Sequence, residues 1–343
     1  VGVPGVIFAE DILRLMGASD EVVTSGLNYT RIMFGSNVVI MLLFVLNGVF
    51  RGAGEASRAM RVLWISNGIN IVLDPLFIFG IGPFPELGVT GAAVATTIGR
   101  GTGVLYQLYI LFSGRSVVKL KLGRVGFNAS MLGRIANIAT TGAFQYIIAS
   151  ASWILLMRIV SRSGEAAVAG YVVAVRLIIF TLLPAWGLAN AAATFVGQNL
   201  GAKQPERAET GVWKAANNAA IYMLTVAAIY IIFAPQLVHA FANDPVAWES
   251  GIIALRIFGA GYILFGYGMI FSQAFNGAGD TRTPTLINFI CFWIIEIPLG
   301  WLLGYQLGYG VAGVCASVLI AEGVLSIIAW ALFRRGRWKL KVV

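Results

Sequence analysis

The chain has 343 residues, of which 58% are hydrophobic and only 11% are charged, and its mean hydropathy is +0.83. Soluble domains carry about 25% charged residues, so this composition excludes an ordinary soluble protein and predicts a chain embedded in membrane lipid. The net charge of +9 does not indicate nucleic-acid binding, because the basic residues are distributed over alternate short loops instead of forming one basic face.

Nine apolar runs are long enough to cross a hydrocarbon core of about 30 Å. They cover roughly residues 27–50, 59–80, 88–112, 133–160, 166–196, 212–234, 251–275, 284–304 and 310–333. Lipid cannot satisfy backbone polar groups, and the strands of a membrane barrel would be shorter and alternating. The predicted fold class is therefore all-α, a polytopic membrane bundle with about nine full transmembrane helices.

The distribution of Lys and Arg predicts the orientation of the chain. Fifteen lie in the loops 51–61, 115–124 and 203–207, at position 282 and in the tail 334–341, against three in the opposite set of loops. By the positive-inside rule the first set is cytoplasmic. We therefore expect a multi-pass protein of a bacterial cytoplasmic membrane, with a cytoplasmic C-terminus.

One polar phrase occurs twice, as FRGAGEASRA at 50–59 and as FNGAGDTRTP at 275–284. A shift of 225 residues aligns 8–54 with 233–279 and gives ten identities in 47 positions, and GVTGAAVAT (88–96) recurs as GVAGVCAS (310–317). Two tandem halves in one orientation are a known transporter architecture. Each phrase is expected to form a tight cytoplasmic turn in which Glu55 or Asp280 serves the N-terminus of the next helix.

The repeat also predicts the domain organisation. Residues 1–114 would be the remainder of an N-terminal lobe (the end of helix 3 and helices 4–6), 115–130 a basic cytoplasmic linker, 131–334 a C-terminal lobe (helices 7–12) and 335–343 a basic cytoplasmic tail. At the same offset the first lobe lacks about 95 residues. Helices 1, 2 and most of helix 3 are therefore expected to precede this chain.

Three of the fifteen carboxylates lie well inside predicted spans: Asp74, Glu296 and Glu322. A charge at the bilayer centre costs about 2.5–3.5 kcal/mol, so each of these carboxylates is expected to have a structural or functional role. Asn70 lies four residues before Asp74 and therefore on the same helical face, and Pro75 removes the backbone donor for the Ile71 carbonyl. The Asp74 carboxylate, the Asn70 amide oxygen and the free Ile71 carbonyl suit a small cation or a protonatable cluster.

Five motifs closely resemble the multidrug and toxic compound extrusion (MATE) family. They are NGVFRGAG (47–54), NIVLDPLFIFG (70–80), GVTGAAVAT (88–96), PAWGLANAAATFVGQNLGAKQPERA (184–208) and NGAGDTRTP (276–284). The resemblance covers essentially the whole chain in family order. It implies a secondary active exporter of small organic cations that exchanges them for H+ or Na+ by alternating access between two lobes, with no cofactor besides the coupling ion.

The resemblance adds Asn47 and Thr96 to the cation site by motif, next to Asp74 and Asn70. The acidic first helix of the family is absent here, and the predicted helices 133–160 and 251–275 contain no acids. The chain is therefore similar to the branch that couples through its first half alone. The alternative role of Asn47, Asn70 and Thr96 is interhelical hydrogen bonding, which stabilises the bundle by about 0.6 kcal/mol for each residue.

Several residues outside this cluster are weaker candidates. Pro75 and Pro184 are candidate hinges, and Glu296, one or two positions from the repeat equivalent of Asp74, is a candidate second-lobe coupling or substrate residue unless a neighbouring Arg pairs with it. Gln145, Tyr146 and Asn190 could face a substrate cavity through stacking and cation–π contacts, although aromatic residues also anchor helices at the membrane interface.

Two other functions are alternatives to export. A lipid-linked oligosaccharide flippase would need a strongly basic central cavity. This is disfavoured because five arginines lie near span ends: Arg31, Arg134, Arg158, Arg176 and Arg256. A membrane-embedded enzyme would need a catalytic cluster, and one His with two separated Cys cannot supply a metal site. No catalytic motif is found, and a monomer that binds small molecules is expected.

Overall fold

The computed structural model describes residues 2–15, 19–120, 126, 128–242 and 244–340, and none of these residues lies in a strand. Their α-helices are, in chain order, α1 (Gly2–Ile7), α2 (Ala9–Leu15), α3 (Asp20–Gly35), α4 (Asn37–Gly52), α5 (Ala56–Phe79), α6 (Val89–Phe112), α7 (Ala129–Val160), α8 (Glu165–Gly201), α9 (Pro205–Phe241), α10 (Trp248–Gly277), α11 (Arg282–Asn288), α12 (Ile297–Gly300) and α13 (Gly310–Arg334). Two π-helical segments, Phe289–Glu296 and Trp301–Gln306, flank α12, and a 3-10 turn covers Arg337–Leu340. The all-α prediction is confirmed.

Within the described ranges, seven helices are long and apolar enough to cross a membrane, or eight when α3 and α4 count as one bent span. The predicted run 88–112 forms α6, which is not among these seven spans. Large apolar side chains cover the helix exteriors: Trp64 and Phe180 are each 75% exposed. Such a surface would aggregate in water, so the chain is a multi-pass membrane protein.

The first predicted span, 27–50, is not one straight helix. A helix begins earlier, at Asp20, and the chain bends by 44° between α3 and α4. The bend lies at Ser36, which follows Gly35, and the Ser36 hydroxyl donates to the Met33 carbonyl at 3.3 Å. Gly/Ser pairs and hydroxyls that bond back to the preceding turn are known causes of helix bending.

Contacts divide the chain into two units, Val1–Gly126 and Phe127–Val343. In the first unit α5 packs on α6, and α3 and α4 pack on the same helix. In the second unit α8, α9 and α13 all pack on α10. Their buried residues, among them Tyr171, Phe258, Phe271 and Leu255, form the core of this unit.

The repeated phrase forms the same turn in both units. Gly54 and Gly279 have φ angles of 84° and 75°, in the left-handed region that glycine adopts without a Cβ clash. The N–H of the residue after each glycine donates to the carbonyl five residues earlier. The Glu55 N–H donates to the Phe50 carbonyl at 2.8 Å, and the Asp280 N–H donates to the Phe275 carbonyl at 2.9 Å. The turn between α8 and α9 has the same hydrogen bond, but Lys203 takes the left-handed position with φ 57°.

The two acids after these turns have different partners. Asp280 accepts hydrogen bonds from the backbone and hydroxyl of Thr283, at 3.4 and 2.9 Å, as predicted for the start of α11. Glu55 makes no side-chain cap on α5, and this part of the prediction is wrong. Its carboxylate instead accepts from the Ser116 hydroxyl at 2.5 Å and from the Val117 N–H at 3.3 Å, since the chain after α6 passes beside it.

Candidate functional site

Glycines on α6 bring α5 unusually close. A Cβ at Gly99 would lie 2.7 Å from the Ser66 carbonyl oxygen and 3.1 Å from the Asn70 Cβ. A Cβ at Gly103 would lie 3.2 Å from the Ser66 Cβ. Since small residues allow helix backbones to approach each other, this contact places the side chain of Asn70 against α6.

Asn70 connects two of the predicted site residues. Its amide nitrogen donates to Asp74 Oδ1 at 3.1 Å along α5 and to Thr96 Oγ1 at 3.3 Å across to α6. All three side chains are half-buried. We call Asp74, Asn70 and Thr96 the Asp74 cluster; it contains three of the four residues that the sequence assigned to the cation site.

The donors in this cluster fit a proton or a monovalent cation. Asp74 supplies a carboxylate and Thr96 a hydroxyl, and α5 continues through Pro75, which cannot donate to the Ile71 carbonyl. Rotating the Asn70 amide would exchange its NH2 group for its oxygen, which could then coordinate a cation. The described residues hold no group of three or more His, Cys, Asp or Glu able to bind a metal ion.

Asn47 is not hydrogen-bonded to this cluster. It is 4% exposed on α4, and its Oδ1 has no hydrogen-bond partner among the described residues. The sequence interpretation overlooked Gln107, which is completely buried, donates to the Leu43 carbonyl at 3.4 Å and also leaves its Oε1 without a partner in the described chain. An amide inside an otherwise apolar run was the signal that could have identified it.

In the second unit, the structure brings part of the predicted substrate set together. Tyr146 is 60% exposed on α7 and stacks on Trp186 of α8, with ring centroids 6.5 Å apart. The amide nitrogen of Asn190 donates to the Trp186 carbonyl, one turn earlier, at 2.9 Å. Gln145 is half-buried beside Tyr146 in the chain. An exposed aromatic pair beside amide side chains can accept a flat organic molecule.

The candidate hinge prolines lie in continuous helices. α5 runs through Pro75 and α8 through Pro184. The backbone departs from helical geometry elsewhere, at Ser36 and at Phe233, which has φ −103° and ψ 16° inside α9. Phe233 is the repeat partner of Phe8, the residue between α1 and α2, so both units interrupt a helix at the same place.

Glu296 lies at the end of the first π-helical segment and is 2% exposed. The alternative of a paired arginine has no support in the described part of the chain, where the ion pairs involve other carboxylates. A buried carboxyl group without a cationic partner is expected to be functional or neutral.

A family model described as MatE matches residues 1–76 and 142–302 of the chain. The chain is 26% identical over 323 residues to the probable multidrug resistance protein NorM of Thermotoga maritima, covering 94% of this chain and 69% of that protein. It is also 26% identical over 335 residues to the multidrug export protein MepA of Staphylococcus aureus, covering 98% and 72%.

Solved structures give the same result. A crystal structure of MATE in complex with MaL6 aligns with a TM-score of 0.91 at 27% identity and covers 100% of this chain and 76% of that one. Structures of MATE in a bent and in a straight conformation align with TM-scores of 0.90 at 27% and 28% identity, covering 99% of this chain and 75% and 77% of theirs.

Proposed function

The chain belongs to the MATE family of membrane transporters, and on this premise we propose that it is a secondary active exporter of small organic molecules. Two relatives carry multidrug resistance or multidrug export in their names. The observation that carries the coupling part of the proposal is the Asn70 amide, which donates to both Asp74 and Thr96. A cation that neutralises Asp74 removes the charge that orients this amide.

The coupling step follows from the two hydrogen bonds. With Asp74 charged, Asn70 donates to it and to Thr96 and so joins α5 to α6. When H+ or Na+ enters from outside and binds Asp74, the amide loses its charged acceptor, and a hydrogen bond to a charged group is worth about 1.5–3 kcal/mol. This change biases the protein towards the conformation that releases substrate outward. One charge crossing 100 mV supplies about 2.3 kcal/mol, which sustains a gradient of roughly fifty-fold for a neutral substrate. One-for-one exchange with a monovalent organic cation moves no net charge, so the concentration gradient of the coupling ion drives that export.

The proposed substrate class is flat organic cations. Tyr146 and Trp186 present a stacked, exposed aromatic surface, and a cation over an aromatic face gains about 0.5–2 kcal/mol. The proposal includes alternating access between the two lobes in a bacterial cytoplasmic membrane, with the basic C-terminal tail on the cytoplasmic side. Solved relatives in a bent and in a straight conformation support a family that changes shape.

The test is transport of a fluorescent organic cation into or out of proteoliposomes under an imposed pH or Na+ gradient. We expect Asp74→Asn to abolish gradient-driven transport and Asn70→Ala to weaken it at least about tenfold, the loss of one charged hydrogen bond. Asn67→Ala is the matched control, because Asn67 lies one turn earlier on the same helix and is exposed; it should transport normally. Normal ion-driven transport by Asp74→Asn would refute the assignment, and the gradient that drives the wild type identifies the ion.

A further inference from the structure

A basic cavity of about 180 Å³ lies at the end of the first unit where α5 begins and α6 ends. Three arginines, two tyrosines and one isoleucine line it: Arg58, Arg61, Arg115, Tyr106, Tyr109 and Ile110. The first two arginines lie in the first two turns of α5, and the tyrosines lie in the last two turns of α6. Among the described residues, none of the lining side chains is acidic.

The segment that follows α6 is held against the start of α5. The Glu55 carboxylate accepts a hydrogen bond from the Ser116 hydroxyl at 2.5 Å, and the Arg58 guanidinium donates to the Arg115 carbonyl. Arg58 also forms an ion pair with Glu55 at 3.1 Å. These contacts fold the segment back onto α5, so that its Arg115 joins the two arginines of that helix.

Two of the three arginines lack a counter-ion in the described part of the chain. The Glu55 carboxylate pairs with Arg58, and the ion pairs of the described residues include neither Arg61 nor Arg115. The Arg115 guanidinium instead lies over the ring of Tyr109, 5.4 Å from its centroid. Like charges around one cavity repel each other, so an anion that binds between them is favoured.

The position of the cavity along α5 corresponds to the membrane–water boundary. α5 has 24 residues and is therefore about 36 Å long, whereas the hydrocarbon core is about 30 Å thick. The ends of this helix thus reach the headgroup layer. Arginine near a helix end extends its charged group towards this layer, and tyrosine is enriched at the same depth. Phospholipids carry their phosphate groups there.

Apolar side chains continue from the cavity along the exterior of both helices. Trp64 follows Arg61 by three residues and is 75% exposed, and Leu105 precedes Tyr109 by four residues and is 69% exposed. Residues at these spacings share one face of a helix. The acyl chains of a lipid whose phosphate occupies the cavity can pack against these side chains, whereas a free phosphate gains nothing from them.

The internal repeat does not reproduce the cavity residues in the second unit. Arg61 corresponds to Leu286 at the offset of 225, and Tyr109 corresponds to Ala331 at the offset of 222. The glycine turn before α5 and its counterpart before α11 nevertheless have the same hydrogen bond. The fold shared by the two units therefore does not require the arginine and tyrosine cluster.

We propose that this cavity binds the phosphate of an anionic phospholipid. Arg61 and Arg115 supply two unpaired guanidinium groups, whose planar donors match phosphate oxygens in pairs, and Tyr106 and Tyr109 add hydroxyl donors. Basic pockets between transmembrane helices recognise lipid headgroups in this way. The site is separate from the Asp74 cluster, because Asp74 lies 13 residues beyond Arg61 on α5, about 20 Å along the helix.

The test is native mass spectrometry of the purified, delipidated protein, titrated with phosphatidylglycerol or with phosphatidylcholine of the same acyl chains. We expect the wild type to bind the first phosphatidylglycerol at least about tenfold more tightly, the factor that one charged hydrogen bond contributes. Arg61→Gln should lose this preference. The matched control Arg282→Gln alters an exposed arginine at the start of α11, the counterpart of α5 in the second unit, and should retain it.

Three results would overturn the proposal. They are equal affinity of the wild type for the two lipids, an equal loss in Arg61→Gln and Arg282→Gln, which would reduce the effect to general surface charge, and displacement of the lipid by inorganic phosphate at matching concentration, which would assign the cavity to a free anion. If Arg61→Gln does not fold, Arg115→Gln alters an exposed side chain outside the helices, and a preference retained by this variant would exclude the site. The measurement involves no ion gradient, so its outcome is independent of the coupling experiment.

Discussion

Replacing Gly99 by alanine should damage both the packing of the first unit and the Asp74 cluster. The added Cβ would lie 2.7 Å from the Ser66 carbonyl oxygen, where ordinary contacts begin at 3.4 Å. The helices α5 and α6 must therefore separate by about 0.7 Å, since backbone atoms cannot rotate away as a side chain does.

The size of this separation decides the effect on the cluster. The hydrogen bond from Asn70 to Thr96 spans 3.3 Å between the same two helices, already near the upper limit for N–H···O bonds. A further displacement of about 0.7 Å breaks it. Overpacking of this kind costs about 1–3 kcal/mol, so we expect Gly99→Ala to lower the free energy of unfolding by that amount and to reduce ion-driven transport.

The matched control is Gly101→Ala, two residues further along α6, where the nearest neighbouring atom would be 4.0 Å from the new Cβ, on Val39. Alanine in an uncrowded helix interior stabilises by about 0.5–1 kcal/mol relative to glycine. The assay is reversible unfolding in detergent micelles with increasing denaturant, together with transport in proteoliposomes. Equal stability and equal transport of the two variants would refute the argument that Gly99 sets the distance between α5 and α6.

Three further outcomes are expected. Gly279→Ala should lower the free energy of unfolding by about 1 kcal/mol, because the φ of 75° at this position disfavours a Cβ even though no atom lies within 4 Å of it. The control Gly187→Ala, in an equally open helix interior, should not destabilise the protein. Identical unfolding midpoints of the two variants would contradict this. Trp338→Ala should lower the free energy of unfolding by about 3 kcal/mol, since the indole is 1% exposed. An unchanged melting temperature would show that segment Arg337–Leu340 does not pack against the rest of the unit. Glu55→Gln should speed limited proteolysis within 113–120, because the Glu55 carboxylate accepts hydrogen bonds from Ser116 and Val117 of this segment; wild-type cleavage rates would disprove the anchor.

Local geometry made half of the candidate site predictable. Asn70 and Asp74 lie four residues apart, and this spacing alone places them on one helical face. The contact with Thr96 depends on how α5 crosses α6, so it was available only through the family motif. Asn47 came from the same motif, but its hydrogen bonds depend on the packing of α4, which the spacing of residues along one helix cannot specify.

The features that the sequence did not predict depend on contacts between helices. The bend at Ser36 interrupts a run of apolar residues that contains no proline, and Gly–Ser pairs also occur in straight helices. The π-helical segments around α12 have no composition that distinguishes them from an α-helix.

The separation into two units has a consequence for biosynthesis. The helix contacts described for the first unit all join residues within 1–126, and none needs a residue that is translated later. At about 5–20 residues per second the ribosome needs roughly 10–40 s to make the following 217 residues. The earlier helices therefore have time to assemble in the bilayer, and the Asp74 cluster with them, while the remainder of the protein is still being synthesised.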